Sequence, residues 1–175
     1  MNRVINESND DVVGFLDNDC VPTNDSIVKE AVSFAYNNNS FLGSAQVSNH
    51  IQPCTHIYAS PAFFFIAKSC YKKMGSPSFL ENEKCDVAEG VSYQAENQSI
   101  AYRVLYPTHF EQSSHEGRWR LSNYGSFGIG TTFSGGVYHL RQGRYGMYND
   151  IFIRRCSEIV TGVFSTNGML SATAF

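Results

Sequence analysis

Short runs of apolar residues, each bounded by turn-forming residues, recur along this chain and predict buried strands. The first run, residues 12–16, stops at Asp17 and Asp19. An unbroken apolar run of this length is typical of a buried parallel strand. Further strands are predicted over residues 41–48, 55–59, 60–66 and 101–106, and a last one ends at 138–140. The most apolar segment, 60–66, has three consecutive phenylalanines and is predicted to be the central strand.

Apolar residues three and four positions apart predict helices between these strands. The helices are predicted over residues 24–37, 67–74, 86–98 and 151–164. Asn24 or Asp25 is expected to cap the first of them, and Asp86 the third. Gly75 is expected to end the second, because glycine readily adopts the left-handed conformation that closes a helix.

Composition places the chain among folded globular proteins, with 175 residues that are 42% hydrophobic and 14% aromatic. No repeat, low-complexity tract or linker interrupts it, so residues 1–175 are predicted to form a single domain. The formal net charge is -3, and a chain without a basic excess is not expected to bind nucleic acid. Small basic groups, Arg118 with Arg120 and Arg141 with Arg144, suit a phosphate-bearing ligand better than a polymer.

Five cysteines are scattered along the chain without the close spacing of a zinc or redox motif. Their odd number and their spacing predict reduced thiols in a reducing compartment. The first residues lack an apolar signal region, and the longest apolar run, residues 62–67, is too short to span a bilayer. The sequence therefore predicts a cytoplasmic protein without a transmembrane segment.

The chemistry of the first strand lies in Asp17 and Asp19. Residues two apart in a strand point to the same face, so the two carboxylates are predicted to lie side by side. Like charges this close repel, and a cation between them removes the repulsion. A hard divalent ion, Mg²⁺ or Mn²⁺, with phosphate oxygens as further ligands, meets this need. The alternative is a strand-to-helix turn in which Asp19 or Asp25 caps the next helix.

Residues 15–22, with the sequence FLDNDCVP, resemble the Asp-x-Asp segment of nucleotide-sugar glycosyltransferases of the GT-A fold. In that family the acidic pair holds the metal that binds the donor diphosphate. The resemblance implies an α/β fold with a truncated GT-A-like, Rossmann-like mixed sheet flanked by helices. It also implies metal-dependent, inverting transfer of a sugar from a nucleotide-sugar donor to a glycan or other hydroxyl acceptor.

The same resemblance assigns metal and diphosphate roles near the last predicted strand. The segment around residues 138–140 is similar to one in which a late histidine completes the metal shell. His139 is thereby a third metal ligand, and Arg141 and Arg144 bind the leaving diphosphate. Imidazole suits Mn²⁺ better than Mg²⁺. The alternative for His139 is a purely structural histidine.

The general base is also assigned by this resemblance. Asp86 stands at the head of a predicted helix, where the family has the carboxylate that deprotonates the acceptor. Glu89, one turn later, competes for the same role. A plain helix cap is the structural alternative for Asp86.

Residues 109–130 are predicted to be a long loop without regular structure, and loops of that kind are usually functional. We expect this loop to lie over the cleft, where Arg118, Trp119 and Arg120 would cover a sugar or phosphate. A surface loop anchored by Trp119 is the alternative.

One departure from the family keeps other functions open. Only 16 residues precede Asp17, whereas the family binds the base and ribose of the donor ahead of its acidic pair. The chain is thus expected to be a fragment or a relative that lacks the nucleotide half. A catalytically inactive glycan-binding remnant, or one lobe of a multi-chain assembly such as a homo-oligomer, is the first rival. A metal-dependent phosphoryl or nucleotidyl transferase, with Asp86 or Glu89 as a further carboxylate ligand, is the second.

Overall fold

A computed structural model describes residues 1–48, 55–111, 118–141, 143 and 146–172. In chain order the first elements are α1 (Asn2–Glu7), β1 (Val12–Leu16), β2 (Cys20–Pro22), α2 (Asp25–Asn38), β3 (Phe41–Val47), β4 (Ile57–Ala67), α3 (Lys68–Lys73), α4 (Glu89–Asn97) and β5 (Arg103–Leu105). They are followed by β6 (Pro107–Phe110), β7 (Arg118–Arg120), β8 (Ser126–Gly128), β9 (Gly130–Phe133), β10 (Val137–Leu140), a 3₁₀ helix (Gly146–Tyr148), α5 (Asn149–Val160) and β11 (Leu170–Ser171).

The chain divides into two compact units. The first comprises Met1–Asp17 and Val28–Leu105, and the second comprises residues 18–27 and Tyr106–Phe175. Each contains a β-sheet and helical segments, so the prediction of an α/β protein whose sheets are flanked by helices is confirmed. Among the described residues, no helix is long and apolar enough to cross a membrane.

The first unit is built on a four-stranded mixed sheet in the order β1-β4-β3-β5. β3 pairs with β5 in parallel, and the other pairs are antiparallel. Phe64 and Ile66 of β4 are fully buried with Tyr71 of α3 and Val91 of α4, in one apolar cluster. Residues 60–66 therefore belong to a central buried strand, as their apolar run predicts.

The two strands predicted over residues 55–59 and 60–66 form a single strand, β4. Their separation at Pro61 was a wrong prediction, and the pairing of β4 with β3 explains why. Gly43 of β3 lies opposite Phe64, whereas the next residue, Ser44, lies opposite Ser60. The intervening residues of β4 therefore bulge out of the β3–β4 ladder. A bulge tolerates a proline, which cannot donate a hydrogen bond.

The strand at residues 12–16 is present as β1, but the prediction that it is parallel and buried was wrong. β1 is an antiparallel edge strand that pairs with β4 alone. Val13 is its one buried residue, and Leu16 is 45% exposed. An apolar run predicts a strand, but its direction and its place in the sheet depend on the partner that it meets.

The helices at residues 24–37 and 67–74 are confirmed as α2 and α3. Of the two candidate caps of α2, Asn24 fills the role, since its Oδ1 accepts a hydrogen bond from the Ile27 N–H at 3.1 Å. Gly75, just after α3, has φ +82°, the left-handed conformation expected there.

The predicted helix over residues 86–98 is present as α4, but it starts at Glu89 and Asp86 is not its cap. The N-cap is Ala88, and no side chain caps this helix. Asp86 instead opens a turn, in which its carbonyl accepts the Glu89 N–H at 3.1 Å. Ala88 has φ 66° in this turn, so the chain reverses before the first helical residue.

The second unit is built on a five-stranded antiparallel sheet in the order β11-β6-β9-β10-β2. Tyr138 and Leu140 of β10 are buried in an apolar cluster with Phe152 of α5 and with Phe164. The strand predicted to end at residues 138–140 is confirmed as β10, and the closing helix is confirmed as α5.

The prediction of an irregular loop over residues 109–130 was wrong. In the part of this stretch that the structure describes, β7 and β8 pair as an antiparallel hairpin. Trp119 stacks on Phe127, with ring centroids 5.7 Å apart. Alternation over three residues is too short a pattern to distinguish a strand from a loop. The position of this stretch over a cleft stays a prediction.

Candidate functional site

The two aspartates of the predicted Asp-x-Asp segment flank a turn between β1 and β2. The Asp17 N–H donates to the carbonyl of Ala62 at 3.0 Å, next to the last pair of the β1–β4 ladder. The Asp19 carbonyl accepts the N–H of Leu140 at 2.9 Å. The backbone of Asp19 is thereby held beside the strand that carries His139.

Asp19 and His139 form the core of the site. The Nε2 of His139 lies 3.4 Å from Oδ1 of Asp19. The Asp19 side chain is 21% exposed and the His139 side chain is 13% exposed. Both are therefore largely removed from water but still accessible to a small ligand. A carboxylate and an imidazole in this environment can share a proton or bind one cation together.

Asp17 brings a third candidate ligand to this pair. One ligand atom from each of Asp17, Asp19 and His139 lies within 4.8 Å of the other two. Only Asn18 separates the two aspartates, so the local chain itself keeps Asp17 near Asp19. Two carboxylates and one imidazole are a donor set that fits a divalent cation such as Mn²⁺, and less well Mg²⁺.

The electrostatics of Asp19 favour its ionised form. Burial by itself would raise the pKa of the Asp19 carboxyl. The hydrogen bond and charge of His139, together with the backbone N–H groups of Asp19 and Gly143, outweigh burial and hold the pKa below its ordinary value. A metal-binding carboxylate must be deprotonated, and this environment favours that state.

Gly143 leaves the space that Asp19 occupies. A Cβ atom built on Gly143 would lie 2.6 Å from Oδ2 and 2.8 Å from Cβ of Asp19. Real Cβ atoms essentially never come so close to another heavy atom. Glycine is therefore needed here for the close approach of the backbone to the carboxylate.

Arg141, one of the two arginines assigned to the diphosphate, lies against aromatic rings. The guanidinium carbon of Arg141 lies 4.9 Å from the ring centroid of Trp119 and 4.7 Å from that of Phe127. The backbone N–H of Arg141 donates to the carbonyl of Ile129. These contacts hold Arg141 on the aromatic face of the hairpin. Arg144 lies outside the described residues.

Glu89, a candidate base, is fully buried. Its Oε1 lies 2.6 Å from Nδ1 of His56, and its Oε2 accepts hydrogen bonds from Ser48 Oγ at 3.0 Å and from the Asp86 N–H at 2.8 Å. The pKa of the nearby Tyr93 is raised by the burial of its own hydroxyl and by the negative charge of Glu89. The Glu89 carboxylate is thus engaged by groups of the protein itself.

Asp86, the other candidate base, is partly exposed. Its Oδ1 accepts the Val87 N–H at 3.2 Å, and its Oδ2 is 3.5 Å from the amide nitrogen of Gln46. Both contacts orient the carboxylate. Of the two acidic candidates, Asp86 is the more exposed.

Neither His56 nor Gly143 has a clear functional signal in the sequence. His56 stands alone at the start of a strand, and no spacing links it to Glu89, 33 positions later. A glycine four residues after a candidate metal ligand is a weak signal, because turns contain glycine for many reasons. Both roles depend on contacts that form only in the folded chain.

Comparison of the chain with protein-family models, curated proteins and solved structures found no match.

Proposed function

We propose that this protein is a metal-dependent glycosyltransferase of GT-A type, which moves a sugar from a nucleotide-sugar donor to a glycan or other hydroxyl acceptor with inversion. The observation that supports this proposal best is the grouping of Asp17, Asp19 and His139, with one ligand atom each within 4.8 Å. These are the residues that the resemblance assigns to the metal, and His139 is more than a hundred positions away in the sequence.

Asp17, Asp19 and His139 would hold Mn²⁺ or Mg²⁺, and the ion would supply positive charge for the departing nucleoside diphosphate. Arg141 and Arg144 would bind the same diphosphate by charge-assisted hydrogen bonds. The partial exposure of the Asp19 and His139 side chains supports this role, since a small cation can reach both.

Asp86 would act as the general base. It would take the proton of the acceptor hydroxyl while the oxygen forms a bond to the anomeric carbon, and the bond from that carbon to the diphosphate would break with its electrons leaving on the phosphate oxygen. One displacement of this kind inverts the configuration of the sugar. The partial exposure of Asp86 and the complete burial of Glu89 favour Asp86 for this role.

The test is titration calorimetry and sugar transfer with a panel of UDP- and GDP-sugars in the presence of Mn²⁺. We expect Asp86→Asn to lose turnover and to keep donor binding nearly unchanged, because it removes only the proton acceptor. Asp19→Asn should lose both, because it removes a metal ligand. Asp25→Asn, at an exposed aspartate in the first turn of α2, is the matched control and should behave like the wild type.

Two results would contradict the proposal. The first is wild-type turnover in Asp86→Asn. The second is the absence of any nucleotide-sugar binding with Mn²⁺. If the chain then still bound free glycans, that result would favour the glycan-binding remnant.

The cytoplasmic location and self-association also stay predictions.

A further inference from the structure

Glu89 joins three separate segments of the first unit through one buried carboxylate. Within its own segment it contacts the backbone of Asp86, and elsewhere it contacts Ser48 just after β3 and His56 just before β4. Its side chain is fully buried. A buried carboxylate is costly unless it is hydrogen-bonded and paired, and these three partners meet that need.

His56 holds Glu89 in place from the other side. Its two ring nitrogens face two carboxylates, with Nδ1 2.6 Å from Glu89 and Nε2 3.1 Å from Glu96. Its ring stacks on Tyr93 with centroids 3.9 Å apart, and Tyr102 donates its hydroxyl to Glu96 at 2.6 Å. The imidazole is thus constrained on both edges and on one face, which leaves Glu89 little freedom to move.

The consequence of this network appears at the turn that carries Asp86. Glu89 binds the turn twice: its side chain accepts the Asp86 N–H at 2.8 Å, and its own N–H donates to the Asp86 carbonyl at 3.1 Å. Between them, Ala88 adopts φ 66°, which is uncommon for a residue with a Cβ. A conformation of this kind persists only where the surroundings hold it, and it often marks a functional segment.

We propose that Glu89, held by His56 and Ser48, is a positioning residue that fixes the backbone at Asp86 and so orients the Asp86 carboxylate. This inference rests on the proposed function, in which Asp86 is the base. It reassigns Glu89 from a competing base to a residue that acts through Asp86. A plain core contact would give Glu89 a role in stability alone, whereas a positioning role also requires that Asp86 lose its order when the Glu89 contact is weakened.

Glu89→Gln tests the proposal with the smallest change of shape. It removes the charge and weakens the hydrogen bond to the Asp86 N–H, so that amide should exchange with solvent at least about tenfold faster, measured residue by residue by hydrogen exchange. In the transfer assay kcat should fall by about 100-fold with the donor KM unchanged, the effect expected when a reacting group is misplaced by about an ångström.

Glu30→Gln is the matched control. It makes the same substitution at an exposed glutamate of α2 in the same unit. Exchange at Asp86 and kcat should stay at the wild-type level. If Glu89→Gln does not fold, Ser48→Ala replaces it, because it removes one hydrogen bond to Oε2 and should change both readouts in the same direction.

Unchanged exchange at Asp86 in Glu89→Gln overturns the inference, whatever happens to activity. If the wild type transfers no sugar from any donor, the proposed function fails, and the exchange measurement alone still decides whether Glu89 holds the turn.

Discussion

At the scale of single residues, the candidate site depends on how the surroundings of each carboxylate set its chemistry. Asp19 and Glu89 are both acidic and both removed from water, yet only Asp19 keeps a face accessible beside other ligand atoms. Glu89 has every oxygen engaged by protein donors. Two residues of similar chemistry therefore serve different purposes because of their neighbours.

The low pKa of Asp19 makes a prediction about stability and pH. Because folding lowers this pKa, the ionised carboxylate stabilises the native state fully above its ordinary value of 3.8, and this contribution is lost as pH falls through the folded-state pKa. The wild type should therefore lose stability relative to Asp19→Asn as the pH falls below 3.8. Urea unfolding of both proteins between about pH 6 and about pH 3 measures the difference.

A stability difference that stays constant down to the lowest pH would show that folding does not shift the Asp19 pKa. As a control, the same pair of proteins in a His139→Gln background should show a smaller pH dependence, since His139 contributes to lowering that pKa.

Gly143→Ala should disturb the proposed metal site without removing a ligand. The new methyl group would lie 2.6 Å from Oδ2 of Asp19, so the carboxylate must shift. We expect a loss of about tenfold or more in Mn²⁺ affinity, as for other changes next to metal ligands, measured by calorimetry or electron paramagnetic resonance. Gly146→Ala is the control, because its Cβ would meet nothing closer than 3.5 Å. Equal affinities in the two variants would contradict this account of Gly143.

At the scale of elements, β4 organises the first unit. It pairs with β1 on one side and β3 on the other, and α3 and α4 pack against it. The bulge opposite Gly43 and Ser44 lets an eleven-residue strand include Pro61 without losing either partner. The turn that leads to Asp19 follows β1, the edge strand that pairs with β4. The position at which that turn begins therefore depends on β4.

Gly43→Ala tests the packing at the bulge. A Cβ on Gly43 would lie 2.8 Å from the carbonyl oxygen of Ser60 and 2.9 Å from the ring of Phe64. Overpacking of a buried sheet should lower the free energy of unfolding by about 1–3 kcal/mol, measured by chemical denaturation. Gly90→Ala, in α4, should be neutral or stabilising, because its Cβ would make an ordinary contact with the carbonyl oxygen of Ser78 at 3.5 Å. A neutral Gly43→Ala would mean that the bulge is free to widen.

At the scale of the whole molecule, each of the two units has its own sheet and its own apolar cluster. Asp19 and His139 belong to the second unit, and Asp86 and Glu89 belong to the first.

Metal binding should be visible in the thermal stability of the whole chain. A ligand that binds only the native state adds about 2.7 kcal/mol to its stability at a free concentration 100 times Kd. We expect Mn²⁺ to raise the Tm, and Mg²⁺ to raise it less at equal concentration because one ligand is an imidazole. Asp19→Asn should show no such shift in a thermal scan, and an equal shift in that variant would place the ion elsewhere.

Several features of this protein follow from the sequence alone. The apolar run ahead of Asp17 and Asp19, the helical spacing after Asn24 and the strand that ends near His139 are local patterns, and local patterns determine where strands, helices and turns form. The prediction that Asp17, Asp19 and His139 belong to one group came from a resemblance in those segments.

Other features were decided only by the tertiary structure. Neither the edge position of β1 nor the hairpin of β7 and β8 is visible in a short apolar pattern, because each depends on which partner strand is available. The burial of Glu89 against His56 depends on segments 33 positions apart meeting in space. Periodicity reports which side of an element is apolar, whereas the environment of a charged group is set by whatever packs around it, and that is determined only when the chain is folded.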